Sequence, residues 1–314
     1  MLTRRHIRVK VMQSIYALIQ SKDDSLQKQE KFLKVSIENT YTLYLLWLGL
    51  FVELQKRAAD QISLSANKYI SEKNEYPNPK KFIQNKLLLQ IAQNKSLEEE
   101  IAHRKLDNWY LNEEYVKLIY KEIIESEVYQ EYMSLPGSDY ASDKELIMTL
   151  FKTIIAPNEK IYDYFEDDKL TWVDDIPIVN TFVLKHLKKT KESHAESYFL
   201  PSLLKDDEDM QFALQLLSRT LLKNAELEKE IEGKTPNWDK DRIAEVDSIL
   251  LRMAICELLH FPSIPERVTI NEYLEIAKEY STPKSSIFIN GILDKLTKEY
   301  KTAGKLNKIG RGLL

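Results

Sequence analysis

Five residues that can carry positive charge stand together between Thr3 and Lys10: Arg4, Arg5, His6, Arg8 and Lys10, with no acid among the first twenty residues. Guanidinium and ammonium groups neutralise phosphates, and a planar guanidinium can hold one through two parallel hydrogen bonds. The chemistry this pattern suits is capture of an anionic chain. Read as a helix at about 100° per residue, the stretch places Ile7, Val11, Ile15 and Leu18 within about 60° of Arg4, in one apolar stripe. Arg4 and Arg8 lie on the line of that stripe. An unpaired guanidinium is too costly to bury, so the first two turns are expected to project beyond the core. Cations in a first turn also oppose the helix macrodipole, by about 0.3–1 kcal/mol each, and a phosphate at the helix N-terminus reverses that penalty. The alternative is a solvated, charged helix end.

The elements that must position these residues are helices. The 314 residues are 43% hydrophobic and 30% charged with only seven Gly, too few for the turns of a sandwich, barrel or doubly wound sheet, so an all-α fold is expected. The single cysteine, Cys256, lies inside an apolar helical pattern, which excludes a disulfide framework or a thiolate metal site and fits a reducing cytoplasm. The basic start has no uninterrupted apolar run behind it, so a leader peptide is not expected. The longest uncharged run, Thr40 to Val52, is thirteen residues. A spanning helix needs roughly 20, so this run is expected to be a buried core helix and no membrane partner is expected.

Charge is unevenly distributed: residues 1–20 carry +4 and residues 295–314 carry +5, whereas the whole chain is −4. The body between the ends therefore sums to −13, and an anionic partner should meet the ends. Helices are expected over Ser25–Ser71, Lys81–Arg104, Asn108–Met133, Lys144–Ile155 and Ile178–Lys189. Another should open at the acidic "KDDEDM" stretch and end at Gly233. The segment around Pro77 and Pro79 reads as a linker. In the last third, Val246, Ile249, Leu250, Met253, Ala254 and Leu258 share a helix face. The final helix should be capped by Thr282 with Pro283 at its first position, and Phe288, Ile292 and Leu296 then share a stripe. Gly291 sits inside that helix at a cost of roughly 1 kcal/mol, so close approach of a neighbour is expected there.

No phosphate loop, CxxC, HExxH or GxSxG motif is present, and the five His, at positions 6, 103, 186, 194 and 260, have no ligand-like pairing. No enzyme activity, catalytic residue, metal or cofactor is expected.

The segment "LLRMAICELL…IPERVTINEYLEIAKEYSTPKSSIFINGILDKL" resembles the C-terminal half of the NusB transcription antitermination family, whose pattern runs LRxAxYEL, P, INExxxLAK and FxNGxLD. "RRHIRVKVMQSIYAL" resembles that family's Arg-rich first helix, and "DMQFALQLLSRTLLKNAELEKEI" its third. The resemblance covers somewhat under half the chain. Cys256 stands where the pattern usually has an aromatic, and Lys284 where family members carry an acid. The resemblance implies a NusB-like helical bundle made of residues 1–24 together with 201–302, a helical insertion over 25–200 without a counterpart, and a flexible basic tail over 303–314.

The same resemblance implies a non-enzymatic factor that binds boxA-like single-stranded RNA together with the NusE ribosomal protein, within the transcription elongation complex. It assigns RNA contact to Arg4, Arg5, His6 and Arg8, and to Lys284, Ser285 and Phe288 at the start of the last helix. Tyr16 and Asp247 are assigned to a surface for the ribosomal protein and are expected on one exposed patch. Arg252 either touches RNA or pairs with Glu257 or Asp247. Phe288 is either core or a stacking platform, Asn290 either links helices or reads a base, and Tyr16 is either a partner contact or a flank of the core. A second reading makes the chain a helical protein–protein adaptor that works through the acidic, Tyr-rich insertion.

Overall fold

The computed structural model describes residues 1–21, 25–66, 76–234 and 243–309. Among them are fifteen α-helices and no strand. In chain order these are α1 (Arg4–Ser21), α2 (Leu26–Ala66), α3 (Lys86–Ala92), α4 (Lys95–His103), α5 (Asn108–Leu111), α6 (Glu113–Glu125), α7 (Glu127–Ser134) and α8 (Tyr140–Leu150). They continue as α9 (Glu159–Asp168), α10 (Asp175–Lys189), α11 (Asp207–Leu222), α12 (Asn224–Ile231), α13 (Glu245–His260), α14 (Glu266–Tyr280) and α15 (Ser285–Thr302). The chain divides into two compact units, Met1–Ile37 with Leu204–Leu314, and Glu38–Leu203.

In the first unit, α1 packs on α11, α13 and α14, and α14 packs on α13 and α15. Helix α13 is buried on every side. From Ile249 to Leu258 each residue is buried, the polar Arg252 and Glu257 and the thiol of Cys256 included. Burial pushes the Cys256 thiol up to about 11, so it stays protonated as a small core side chain.

In the second unit the core is aromatic and centred on α2. Trp47 meets Phe151 and Phe165 edge-on, with ring centroids 5.4 and 5.0 Å apart, and Phe165 meets Trp172 at 5.5 Å. Buried indoles keep a polar handle that needs an acceptor: Trp109 Nε1 donates to the Leu46 carbonyl at 2.8 Å and Trp172 Nε1 to that of Asn39 at 2.8 Å. Helix α2 passes a test of length and composition for a membrane span. The residues that make it apolar, Leu43 to Leu48, are at most 1% exposed and lie in protein.

Several expected helices are broken where a side chain caps a new start. Asn85, Asn94 and Ser126 accept hydrogen bonds from the amides of Leu88, Leu97 and Tyr129, dividing the expected Lys81–Arg104 and Asn108–Met133 helices. The helix opening at Asp207 breaks at Lys223, and Gly233, with φ of 70°, follows the end of α12. Helix α15 begins at Ser285, two residues beyond the expected Pro283 start, with no side-chain cap from Lys284. The tail is not loose as far as Ile309: the Lys308 ammonium donates to the Glu257 and Phe261 carbonyls at 3.1 and 3.0 Å, and the Ile309 amide donates to Pro262 at 2.9 Å. Arg311 and the end of the expected tail, Ser71 at the end of the expected second helix, and the start of the expected linker lie outside the described residues.

The expectation of a close neighbour at Gly291 is overturned among the described residues, where a Cβ placed there meets nothing within 4 Å. The glycine therefore costs helix stability with no packing gain from those residues. Gly291→Ala should raise unfolding stability by about 0.5–1 kcal/mol, read as an upward shift in the urea midpoint.

Candidate nucleic-acid interface

The helix that carries the basic residues is started by Thr3. Its hydroxyl accepts from the His6 amide at 3.5 Å while its own amide donates to His6 Nδ1 at 3.2 Å, a reciprocal cap with imidazole in the place of the usual carboxylate or amide. That role requires an unprotonated Nδ1. Burial first, then the charges of Arg5 and the chain's amino group, hold the His6 pKa below its ordinary value.

Arg8 corrects the expectation that the first two turns project. It is 2% exposed, and its guanidinium donates from Nε and Nη2 to the two oxygens of Glu257, itself 0% exposed, at 2.8 and 2.7 Å. Glu257 also accepts from the Thr269 hydroxyl at 2.7 Å and the Tyr273 hydroxyl at 3.2 Å, so each oxygen has two donors. The Arg8 guanidinium carbon lies 5.1 Å from the centre of the Phe212 ring and 5.8 Å from that of Tyr273. Burial works against the Arg8 charge, but the hydrogen bonds and charge of Glu257 outweigh it and raise its pKa. Burial of this cation is tolerable because it is paired, and the partner stands 249 residues away in sequence.

Arg4 and Arg5 are each paired at one edge and part-exposed. Arg4 Nε donates to Asp209 at 2.9 Å, and Arg5 donates to both oxygens of Glu272 at 3.0 and 2.9 Å. The Arg5 hydrogen bonds foremost, with the charges of Arg5 and Arg8, hold the Glu272 pKa below its ordinary value against the effect of burial. Arg4, Arg5, His6 and Arg8 line one open cavity of about 590 Å³ with Glu272, Ser263, Ile264, Pro265 and Val268. Asp209 and Glu272 are site residues that sequence reasoning missed, and Glu257, considered there only as a partner of Arg252, pairs with Arg8. Glu257 carried a signal, because a carboxylate inside the apolar run "RMAICELL" demands a buried donor.

The other predicted residues fall elsewhere. Lys284 is exposed and Phe288 half-buried at the start of α15. Ser285 is 2% exposed and donates to Asp247 at 2.7 Å, while Thr282 and Ser281 hydroxyls lie 2.8 and 3.0 Å from its oxygen. Asp247 is 3% exposed, so it does not share an exposed patch with Tyr16, which is 42% exposed. Arg252 is buried and held by the Ser248 carbonyl, Asn224 and Glu228, the last at 3.5 Å, and not by Glu257 or Asp247. Lys284, Ser285 and Phe288 do not line the cavity that Arg4 and Arg5 border.

Removing one member of a buried ion pair leaves the other uncompensated, at about 3–5 kcal/mol. Arg8→Ala and Glu257→Ala should each lose that much stability in urea titrations. Arg8→Met combined with Glu257→Leu should lose less than either single change.

Residues 179–298 match the model of the NusB family. A relative named Transcription antitermination protein NusB, from Salinibacter ruber, is 44% identical over 109 residues, 35% of this chain and 68% of the relative. Proteins of the same name from Chloroherpeton thalassium and Geotalea daltonii are 36% identical over 129 residues and 39% identical over 116. Those matches cover 41% and 37% of this chain, and 61% and 77% of the relatives. No solved structure matches. The chain belongs to the NusB family.

Proposed function

We propose that this chain is a cytoplasmic, non-enzymatic transcription antitermination factor that binds boxA-like single-stranded RNA with the NusE ribosomal protein in the elongation complex. The observation that carries this reading is the likeness to proteins named for transcription antitermination. The matched residues favour it over the adaptor reading, since most of the insertion lies outside them.

Within the reading, roles divide by burial. Arg4 and Arg5 bind phosphates from the border of the cavity: each guanidinium has five N–H donors, and the carboxylates beside them occupy only one or two. The Arg5–Glu272 pair is part-exposed on both sides and of a kind worth about 0–1 kcal/mol, so exchange of its carboxylate for a phosphate is cheap, whereas Asp209 is buried and Arg4 keeps Nε on it while offering its remaining donors. His6 fixes the helix start, and Lys284 supplies a further ammonium. Phe288 offers a ring to an unpaired base. Arg8, Arg252, Ser285 and Asp247 hold the helices in place, and Tyr16 is the exposed contact for the ribosomal protein.

The test is affinity for a boxA-like RNA at several salt concentrations. On single-stranded RNA, every phosphate that the protein ceases to neutralise lowers the slope of log K against log salt by roughly 0.7, so Arg4→Ala with Arg5→Ala should flatten it by about 1.4. An unchanged slope in a folded double variant would remove these residues from the interface.

A further inference from the structure

The second unit is acidic, at −7 over residues 38–203, yet the end of α10 is not. Lys185, Lys188, Lys189 and Lys191 are all exposed, and among the described residues none lies within ion-pair distance of a carboxylate. The two nearby acids in sequence are engaged elsewhere. Glu192 lies 3.4 Å from Lys86, and Glu196 accepts from the Ser96 amide and hydroxyl at 3.0 and 3.1 Å. Lys144 brings a further cation to the same place, its ammonium donating to the Lys188 and Thr190 carbonyls at 3.2 and 3.1 Å. The helix macrodipole accounts for Lys188 and Lys189 in the last turn. It does not account for Lys191 beyond the cap, nor for the lack of counter-charges on an acidic body.

Beside these lysines runs a column of rings. Phe182 stacks on His186 at 5.5 Å and 23°, His186 on Tyr198 at 4.3 Å and 19°, and Tyr198 on His194 at 3.9 Å and 28°. The column is buried at His186, while its two ends, Phe182 and His194, are half-buried. Among the described residues no further ring stacks on His194. Its Nδ1 accepts from the Lys191 amide at 3.1 Å, which ties the end of the column to the basic segment.

We propose that this face of the second unit, which falls within the family-matched residues, is a second single-stranded RNA contact, in which Lys185, Lys188, Lys189 and Lys191 neutralise phosphates and His194 extends its ring column by one unpaired base. Lysines set along a strand with a ring at one end are the two parts a sequence-tolerant single-strand site needs. An anionic membrane would use the lysines but has no use for a terminal stacking ring. The inference rests on the proposed RNA-binding role, and it gives the second unit a part in that role.

The test uses the full chain and two fluorescent probes, an unstructured RNA of about 30 nucleotides containing a boxA-like element and vesicles of phosphatidylglycerol, with folding checked by circular dichroism. Replacing the four lysines by Gln should lower the salt slope for RNA by up to about 2.8, at roughly 0.7 for each phosphate neutralised. His194→Ala should weaken RNA binding about fivefold or more, as loss of one stacked base does, and His194→Phe, which keeps a ring, should retain affinity. If the natural chain binds the RNA and the lysine variant keeps its slope, this second contact is refuted while the proposed function stands. If the natural chain binds no RNA, both fall. Lysine-dependent binding to vesicles alone would also overturn it.

Discussion

The buried pair of Arg8 with Glu257 is the interaction on which the first unit depends. It joins the first helix of the chain to the central helix α13, and through the Thr269 and Tyr273 hydroxyls it reaches α14. Two charges removed from water are tolerable only when each is fully hydrogen-bonded, and here the carboxylate has four donors. Such a network favours one register of the three helices, since a shift of a single turn would strand a charge. The neighbouring pairs Arg4 with Asp209 and Arg5 with Glu272 fix the same helix against α11 and α14 at the rim.

This constraint also sorts the basic opening into two kinds of residue. Arg8 lies at the inner wall of the cavity, 2% exposed and consumed by its pair with Glu257, whereas Arg4 and Arg5 are part-exposed and shared between the fold and the solvent-open side of the same cavity. In the proposed function the buried pair sets the angle at which the rim arginines meet a strand. Ser285 with Asp247 does the same for α15: a buried hydrogen bond to α13 fixes the start of the helix on which Lys284 and Phe288 stand.

Periodicity makes the helical class legible, and the apolar stripe of α1 through Ile7, Val11 and Ile15 follows from spacing, whereas α13, expected to bury one face, is buried all round because helices pack on it from several sides. Breaks at Asn85, Asn94 and Ser126 are not legible in the same way, although all three are good capping residues; in a continuous apolar pattern the choice between a cap and a solvated interior position is made by tertiary packing. The burial of Arg8, Arg252, Asp247 and Ser285 is also hidden from the sequence, because charge read residue by residue says surface, and the partners that reverse that reading are 249, 24, 38 and 38 residues away. The family pattern holds part of the answer. Glu257 and Glu272 both stand in the motifs that carry the resemblance, and an acid fixed in an apolar motif signals a buried cation.

In the proposed function Arg8 is committed to Glu257, while Arg4 and Arg5 remain available to an anionic strand. The most direct measurement is the set of arginine Nε–H resonances of the full chain, assigned by single Arg→Lys changes and followed as boxA-like RNA is added. The Arg8 signal should be protected from exchange with water and stay in place, while the Arg4 and Arg5 signals should move with RNA. An Arg8 signal that exchanges freely and shifts with RNA, with Arg4 and Arg5 unmoved, would contradict it.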